Sequence, residues 1–159
     1  MSIRSLTRTP LRLALGLSLA ACAGAAQATS ITMYRDPNCG CCLAWLGHAD
    51  DHFGKGDETV TSKTVDSENI AAVKAANGVP ADLVSCHTAI VDGMVIEGHV
   101  PAADIERLLA ERPEGITGLA VAGMPLGSPG MEMGPRRQAF QVIAFGPDKR
   151  MVWASYPAA

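Results

Sequence analysis

Hydrophobic and polar positions after residue 28 follow two periods, which predict strands and helices in alternation. Residues 31–35 and 59–65 alternate as strands do. Asp92-Gly93 lies between two β-rich runs and predicts a two-residue hairpin turn. Apolar residues three or four apart predict three helices, which end near Phe53, Asn77 and Arg112. The second is expected to be capped by Asp66 or Ser67 and to bury Ile70 and Val73. The predicted order is β-α-β-α-β-β-α, an α/β domain.

The pattern changes beyond Gly115 to a stretch rich in glycine and proline. Ten of the thirteen residues from 123 to 135 are Gly, Pro or Met, which predicts an irregular loop. Methionines in such a loop are poorly explained by core packing, and thioether sulfur binds Cu(I). Met124 and Met131 are therefore candidate ligands, although they could equally serve to fold the loop onto the domain. A last hairpin is expected from residues 140–145 and 151–156.

The first 28 residues have the features of a signal peptide. Three arginines, Arg4, Arg8 and Arg12, precede an apolar run that is too short to span a bilayer, and Ala26-Gln27-Ala28 fits a cleavage site. We therefore expect a signal peptide at 1–28, one domain at 29–159 and a periplasmic location. Leu19-Ala20-Ala21-Cys22 offers the alternative of a lipoprotein that is anchored to the membrane at Cys22.

The charge of the chain argues against nucleic acid as a partner. The formal net charge is −3, and loss of the three arginines of the leader would make it −6. A mature domain with an acidic balance and no basic patch lacks the electrostatic footprint of a nucleic-acid-binding protein.

Three cysteines fall within four residues, at Cys39, Cys41 and Cys42, and a fourth lies far away at Cys86. The first three are expected at a helix N-terminus, where unpaired N–H groups lower thiol pKa values. Crowded thiolates repel one another, and a soft cation removes this repulsion, Cu(I) first and Zn(II) second. Because neighbouring Cys41 and Cys42 cannot easily share one ion with Cys39, we predict a polynuclear site. The alternative is a redox or structural disulfide between Cys39 and Cys42.

The register of the predicted hairpin adds a fifth ligand candidate. If Asp92 and Gly93 form the loop, counting back along both strands places Cys86 opposite His99. The same alternation directs His87 to the other face, which makes it the weaker candidate. His48 and His52 are too far along the first helix to share the thiol site, and a solvated helix face explains them better.

A β-α-β-α-β-β-α order with a dithiol at the first helix resembles the thioredoxin fold. Four ordered motifs are further similar to the CopG-type periplasmic copper-resistance protein family, DUF411. These motifs are Cys39-Gly40-Cys41-Cys42, Val79-Pro80 with Ser85-Cys86-His87-Thr88, Glu97-Gly98-His99-Val100-Pro101, and the run from Gly123 to Met131. The resemblance covers about residues 31–156. It implies a thioredoxin-like fold and copper binding through Cys39, Cys41, Cys42 and Cys86.

The sequence thus predicts a copper-binding protein that sequesters Cu(I), with copper ions and other periplasmic copper-handling proteins as partners. The expected metal ligands are Cys39, Cys41, Cys42, Cys86, His99, Met124 and Met131. No residue is assigned a catalytic role under this hypothesis. Two alternatives are enzymes: a thiol–disulfide oxidoreductase that uses Cys39 and Cys42, and an oxidoreductase that interconverts Cu(II) and Cu(I).

Overall fold

The structure, a computed structural model, describes residues 28–55 and 59–159. Residues 1–27 of the expected signal peptide, with Cys22 among them, lie outside the described residues, so the choice between a cleaved and a lipid-anchored form stays a prediction. Within the described part of the chain, every helix is too short or too polar to cross a membrane.

Seven strands and three α-helices form the described part of the chain. The strands are β1 (Thr29–Arg35), β2 (Val60–Asp66), β3 (His87–Val91), β4 (Met94–Glu97), β5 (Gly118–Ala120), β6 (Phe140–Phe145) and β7 (Arg150–Tyr156). The helices are α1 (Gly40–Phe53), α2 (Ile70–Ala76) and α3 (Ala102–Glu111), and a short 3-10 turn spans Ala81–Leu83. The predicted α/β class and element order are confirmed, whereas the thioredoxin-like assignment stays a prediction.

All seven strands belong to one sheet in the order β2-β1-β3-β4-β5-β6-β7. The parallel pairs are β1 with β2 and β4 with β5, and the other neighbours are antiparallel. The hairpin between β3 and β4 turns at Asp92 and Gly93, with Val91 opposite Met94 as predicted. Both turn residues have positive φ, 45° and 84°, which is the conformation that Asp-Gly accepts in this turn.

The two faces of the sheet are covered differently. Ile31 and Met33 of β1 pair with Val91 and Ala89 of β3, and this face carries the main apolar core. The core is completed by buried side chains of α1 and α3, namely Trp45, Leu46, Ala49, Phe53, Ile105 and Leu108. The helix α1 is therefore held against this face of the sheet, beside α3, and its main strand contacts are with β1 and β2.

The opposite face carries α2 and a buried ion pair. Nζ of Lys74 lies 2.6 Å from Oε1 of Glu97 and donates to Oγ1 of Thr88 at 3.2 Å. The hydroxyl of Thr88 donates to the other carboxylate oxygen of Glu97 at 2.7 Å, and Oε1 also accepts from the backbone N–H of Ser85 at 2.5 Å. The Glu97 carboxylate therefore ties α2 to the residue just before Cys86.

Two sequence expectations for these elements are wrong. The cap of α2 is Asn69, whose side chain accepts from the N–H of Ala72, rather than Asp66 or Ser67. The buried residue of α2 is Lys74, whereas Ile70 and Val73 are only half-buried. An apolar pattern misses Lys74 because its burial depends on Glu97, a partner that is distant in sequence.

We expect Lys74→Met to lower the free energy of unfolding by about 3–5 kcal/mol, because it leaves the Glu97 carboxylate buried without its counter-charge. Urea unfolding of the variant and the wild type measures this difference. Lys63→Met, on an exposed position of β2, is the control and should change the free energy by less than about 0.5 kcal/mol. A loss below about 1 kcal/mol in Lys74→Met would contradict the structural role of the pair.

Candidate metal centre

A short turn between β1 and α1 presents the three clustered cysteines. The N–H of Cys39 donates to the carbonyl of Asp36 at 3.0 Å, and the N–H of Asn38 donates to the Asp36 carboxylate at 2.8 Å. The helix α1 begins directly after Cys39, so Cys41 and Cys42 lie in its first turn, as predicted. The first N–H groups of a helix have no partner within it, and they create a positive environment for sulfur.

The fourth cysteine approaches from the segment that precedes β3. The Sγ of Cys86 lies 3.6 Å from that of Cys42 and 4.0 Å from that of Cys41, and the Sγ atoms of Cys39 and Cys41 are 3.4 Å apart. All four sulfur atoms lie within 4.8 Å of one another. The predicted convergence of Cys86 with the cysteine turn is therefore present in the structure.

The four sulfur atoms differ in oxidation state. Cys39 and Cys42 form a disulfide, while Cys41 and Cys86 are free thiols in the described part of the chain. A disulfide sulfur has no proton to lose and is not a thiolate ligand. The arrangement shown is therefore the oxidised form, and two electrons and two protons convert it into a set of four thiols.

The thiol of Cys86 is strongly held in its protonated form. Burial, together with the nearby Cys41 sulfur, raises the pKa of the Cys86 thiol to about 12. A metal that binds this sulfur must displace the proton, because thiolate is the ligand form of cysteine.

His99 has the geometry of a metal ligand with a fixed tautomer. Its Nδ1 lies 2.8 Å from the carbonyl oxygen of Pro129, so this nitrogen donates its hydrogen and leaves Nε2 with a free lone pair. Nε2 lies 3.0 Å from the Sγ of Cys86. Burial lowers the pKa of His99, although the hydrogen bond to Pro129 opposes that change. The neutral ring is thus oriented as metal-bound histidines are, with the outer nitrogen on a carbonyl.

His87 lies nearer to the cysteines than strand alternation predicts. Its Nδ1 is 3.3 Å from the Sγ of Cys86, and its ring lies 5.2 Å from the ring of His99 and 4.5 Å from that of Trp45. The alternation argument fails because β3 begins at His87, so that Cys86 is outside the regular strand.

The environment of His87 is unusual for a histidine. The ring is fully buried, and the described part of the chain offers no hydrogen-bond partner to its Nε2. Burial lowers the pKa of His87 well below its usual range, and the neighbouring His99 and Lys74 add to this effect. Cys86, His87 and His99 form a second group whose ligand atoms lie within 4.8 Å of one another.

The loop at 123–135 packs over the cysteine turn. Gly130 has a φ of +84°, and a Cβ placed on it would lie 2.6 Å from the backbone nitrogen of Trp45 and 2.8 Å from the carbonyl oxygen of Cys41. Only glycine fits this approach. Met131 is half-buried beside it, whereas Met124 is 54% exposed. The structure thus places the backbone of this loop, through Pro129 and Gly130, against the sulfur site.

His48 and His52 do not join the cysteines. Nε2 of His48 lies 3.0 Å from a carboxylate oxygen of Glu132, and Nε2 of His52 lies 3.0 Å from one of Glu106. Both histidines lie along α1, with their ring nitrogens directed to these carboxylates. The interpretation of these residues as surface groups agrees with this arrangement.

Arg35 is a site residue that sequence patterns did not reveal. Its Nη1 donates to the carbonyl oxygens of Asp36, Pro37 and Cys39, at 3.2, 3.1 and 3.0 Å. A long polar side chain at the end of a strand normally points into solvent, and no spacing rule indicates that it folds back onto a turn. The one signal was its position, directly before the turn that carries the cysteines.

The site as a whole combines four sulfur atoms with two imidazole rings, both neutral because burial lowers the pKa of each. Sulfur and imidazole are soft to borderline donors, a set that suits copper and also zinc. His87 presents its Nδ1 to Cys86, and the unprotonated Nε2 of His99 faces the same thiol at 3.0 Å, so that a metal which displaces the thiol proton would meet both nitrogens. The described residues therefore fit a metal centre.

Comparisons with known proteins agree with this chemistry. Residues 83–131 match the family described as a protein of unknown function, DUF411. None of the curated proteins matches the chain. A solved structure described as copper resistance protein CopG, Form 1, is 41% identical, covers 82% of this chain and 99% of its own, and has a TM-score of 0.74. Form 2 is 42% identical, covers 82% and 100%, and has a TM-score of 0.72. The chain belongs to the CopG-type DUF411 family.

Proposed function

We propose that this protein binds Cu(I) through the thiolates of Cys39, Cys41, Cys42 and Cys86 and so withholds copper from other targets. The observation that supports this most is the convergence of four sulfur atoms within 4.8 Å, from two separate segments of the fold. Cysteine sulfur is the protein ligand that Cu(I) prefers. The copper resistance named for the relatives agrees with such a role.

The proposed site holds more than one copper ion. Cys41 and Cys42 are neighbours on the first turn of α1, so their sulfur atoms leave the backbone in different directions. Thiolates that bridge two or more ions bring all four sulfur atoms into use without distorting that turn. His99, through Nε2, and His87 stand beside Cys86 and supply nitrogen at its edge. Met131 and Met124 add thioether sulfur from the loop.

We place this activity in the periplasm, because the first 28 residues have the sequence features of a signal peptide. An oxidising compartment makes the disulfide between Cys39 and Cys42 its resting form. Copper binding by four thiolates then requires a reductant, which a periplasmic partner protein would supply.

The same disulfide favours a second candidate function, reduction of Cu(II). In this reaction the thiols of Cys39 and Cys42 lose two protons and two electrons and form the sulfur–sulfur bond. Two Cu(II) ions each accept one electron and become Cu(I). Cys41 and Cys86 stay outside the bond, and on losing their protons they hold the reduced ions as thiolates. Thiol–disulfide exchange with other proteins uses the same pair of cysteines but gives Cys41 and Cys86 no role in the reaction.

We expect the reduced wild-type protein to take up more than one Cu(I) ion per chain in an anaerobic titration against a competing chelator. Cys86→Ser should lose at least half of this stoichiometry, because it removes the sulfur that joins the two segments. His48→Ala is the matched control and should bind as much as the wild type. Equal binding by Cys86→Ser and the wild type would contradict a shared site.

Copper binding should also release protons. The pKa of Cys86 is raised to about 12, so at pH 7 this thiol is protonated before metal binds and deprotonated afterwards. Apparent Cu(I) affinity should therefore rise with pH between 6 and 8. Calorimetry in buffers of different ionisation enthalpy counts the protons. Cys86→Ser should release about one proton fewer than the wild type, and an equal release would show that Cys86 is not a ligand.

The three functions separate in one set of assays. If the protein exchanges disulfides with other proteins, it should catalyse insulin reduction, and Cys41→Ser should not change the rate. If it handles copper, insulin reduction should be negligible, and Cys41→Ser should lower the number of Cu(I) ions bound. Oxidation of the reduced protein by Cu(II), with two Cu(I) ions formed per disulfide, would distinguish reduction from storage.

A further inference from the structure

Arg35 ends β1 with its side chain turned inward, only 11% exposed. In the pairing of β1 with β3, Arg35 lies opposite His87, so the two residues share one face of the sheet. That face is the one on which α1 and the sulfur site lie. An arginine this deeply buried requires partners for its charge and its N–H groups.

The partners of Arg35 are concentrated on the cysteine turn. One nitrogen, Nη1, is within 3.0–3.2 Å of three carbonyl oxygens between Asp36 and Cys39. The other, Nη2, lies 3.0 Å from a carboxylate oxygen of Asp66, which pairs with Arg35 in the neighbouring strand. The guanidinium is thus fixed to β2 by Asp66, and it binds three carbonyl oxygens of the turn at the same time.

This arrangement requires arginine rather than any cation. The planar guanidinium presents its donors in a fixed fork, so that it can meet carbonyl groups on one side and a carboxylate on the other. A lysine ammonium keeps the charge but is a compact point without that fork. The two residues therefore separate the effect of geometry from the effect of charge.

We infer that Arg35 is a positioning residue of the sulfur site. It holds the backbone of the cysteine turn in the conformation in which the Cys39 sulfur reaches Cys42. The copper part of this inference rests on the proposed function. The redox part rests only on the disulfide between Cys39 and Cys42 that the structure shows.

The redox equilibrium of this disulfide is the primary test. Protein disulfide and two reduced glutathione molecules give protein dithiol and one glutathione disulfide, so that two electrons and two protons balance. We compare the wild type with Arg35→Met, Arg35→Lys and Arg150→Met. Arg150 pairs with Asp82 on the exposed surface, 2.6 Å apart, and is the matched control.

We expect Arg35→Met to shift the equilibrium towards the dithiol by about tenfold, which is about 30 mV for a two-electron couple, because the turn is no longer held where the two sulfur atoms meet. Arg35→Lys should recover only part of this shift, because it restores the charge without the fork. Arg150→Met should stay within about twofold of the wild type. A value for Arg35→Met within about twofold of the wild type overturns the inference, and full recovery in Arg35→Lys overturns the positioning role.

A second variant keeps the test sharp if Arg35→Met folds poorly. Asp66→Ala removes the oxygen that accepts from Nη2, whereas Asp66→Asn retains an accepting oxygen and removes only the charge. Asp66→Ala should shift the equilibrium towards the dithiol by about threefold, and Asp66→Asn should stay within about twofold of the wild type. Equal values for the two Asp66 variants would overturn the positioning role of Arg35.

The effect of Arg35 on copper binding is measured in a separate experiment. In the reduced protein, Arg35→Met should weaken Cu(I) binding at least about threefold in chelator competition, while the number of ions bound stays unchanged. If the wild type takes up no Cu(I), the proposed function fails, but the glutathione equilibrium still decides the role of Arg35. If the wild type binds copper and Arg35→Met binds it equally well, the positioning role in metal binding is overturned.

Discussion

The pairing of β3 with β1 on one side and with β4 on the other determines the geometry of the sulfur site. Arg35 at the end of β1 lies opposite His87 at the start of β3, and Thr88 lies opposite Glu97 near the end of β4. The segments that follow β1, precede β3 and follow β4 therefore meet at the same end of these strands. Because β-strand register is set in steps of one residue, a slip of either pair would move Cys86 away from α1 and His99 away from Cys86.

The two faces of the sheet stabilise this end of the strands by different interactions. On the α1 face, apolar packing fixes the helix, and the indole N–H of Trp45 donates to the carbonyl of Val100 at 2.9 Å. On the α2 face, the carboxylate of Glu97 holds the backbone of Ser85. Cys86 follows Ser85 and lies where the two faces meet. Its position thus depends on a buried charge on one face and on apolar contacts on the other.

The sequence predicted the features that depend on local periodicity. The Asp-Gly turn determined the register of the β3–β4 hairpin, and the contact between Cys86 and His99 follows from that register. The prediction that His87 points away from Cys86 was wrong, because the alternation of side chains does not extend past the end of a strand. Arg35 was missed because its role depends on a side chain that bends back onto a turn. Neither feature leaves a periodic trace in the sequence.

The C-terminal region shows a different limit. The last hairpin was predicted and is present as β6 and β7, but β5 has only three residues, too few for a recognisable pattern. This short strand joins the hairpin to β4 and so makes one continuous sheet. The disulfide between Cys39 and Cys42 was an open alternative, because spacing alone does not distinguish a redox pair from a pair of metal ligands.

Gly130 has no side chain that could bind a metal, yet the sulfur site depends on it. Its α-carbon rests against the backbone of the first turn of α1, where no larger residue fits. The loop and the cysteine turn therefore cannot move independently. A side chain at this position would displace the loop from the site and expose His99 to water. Substitutions at Gly130 should be tolerated as poorly as those of a ligand. A genetic screen for metal ligands would therefore also recover Gly130, which contributes only by having no side chain.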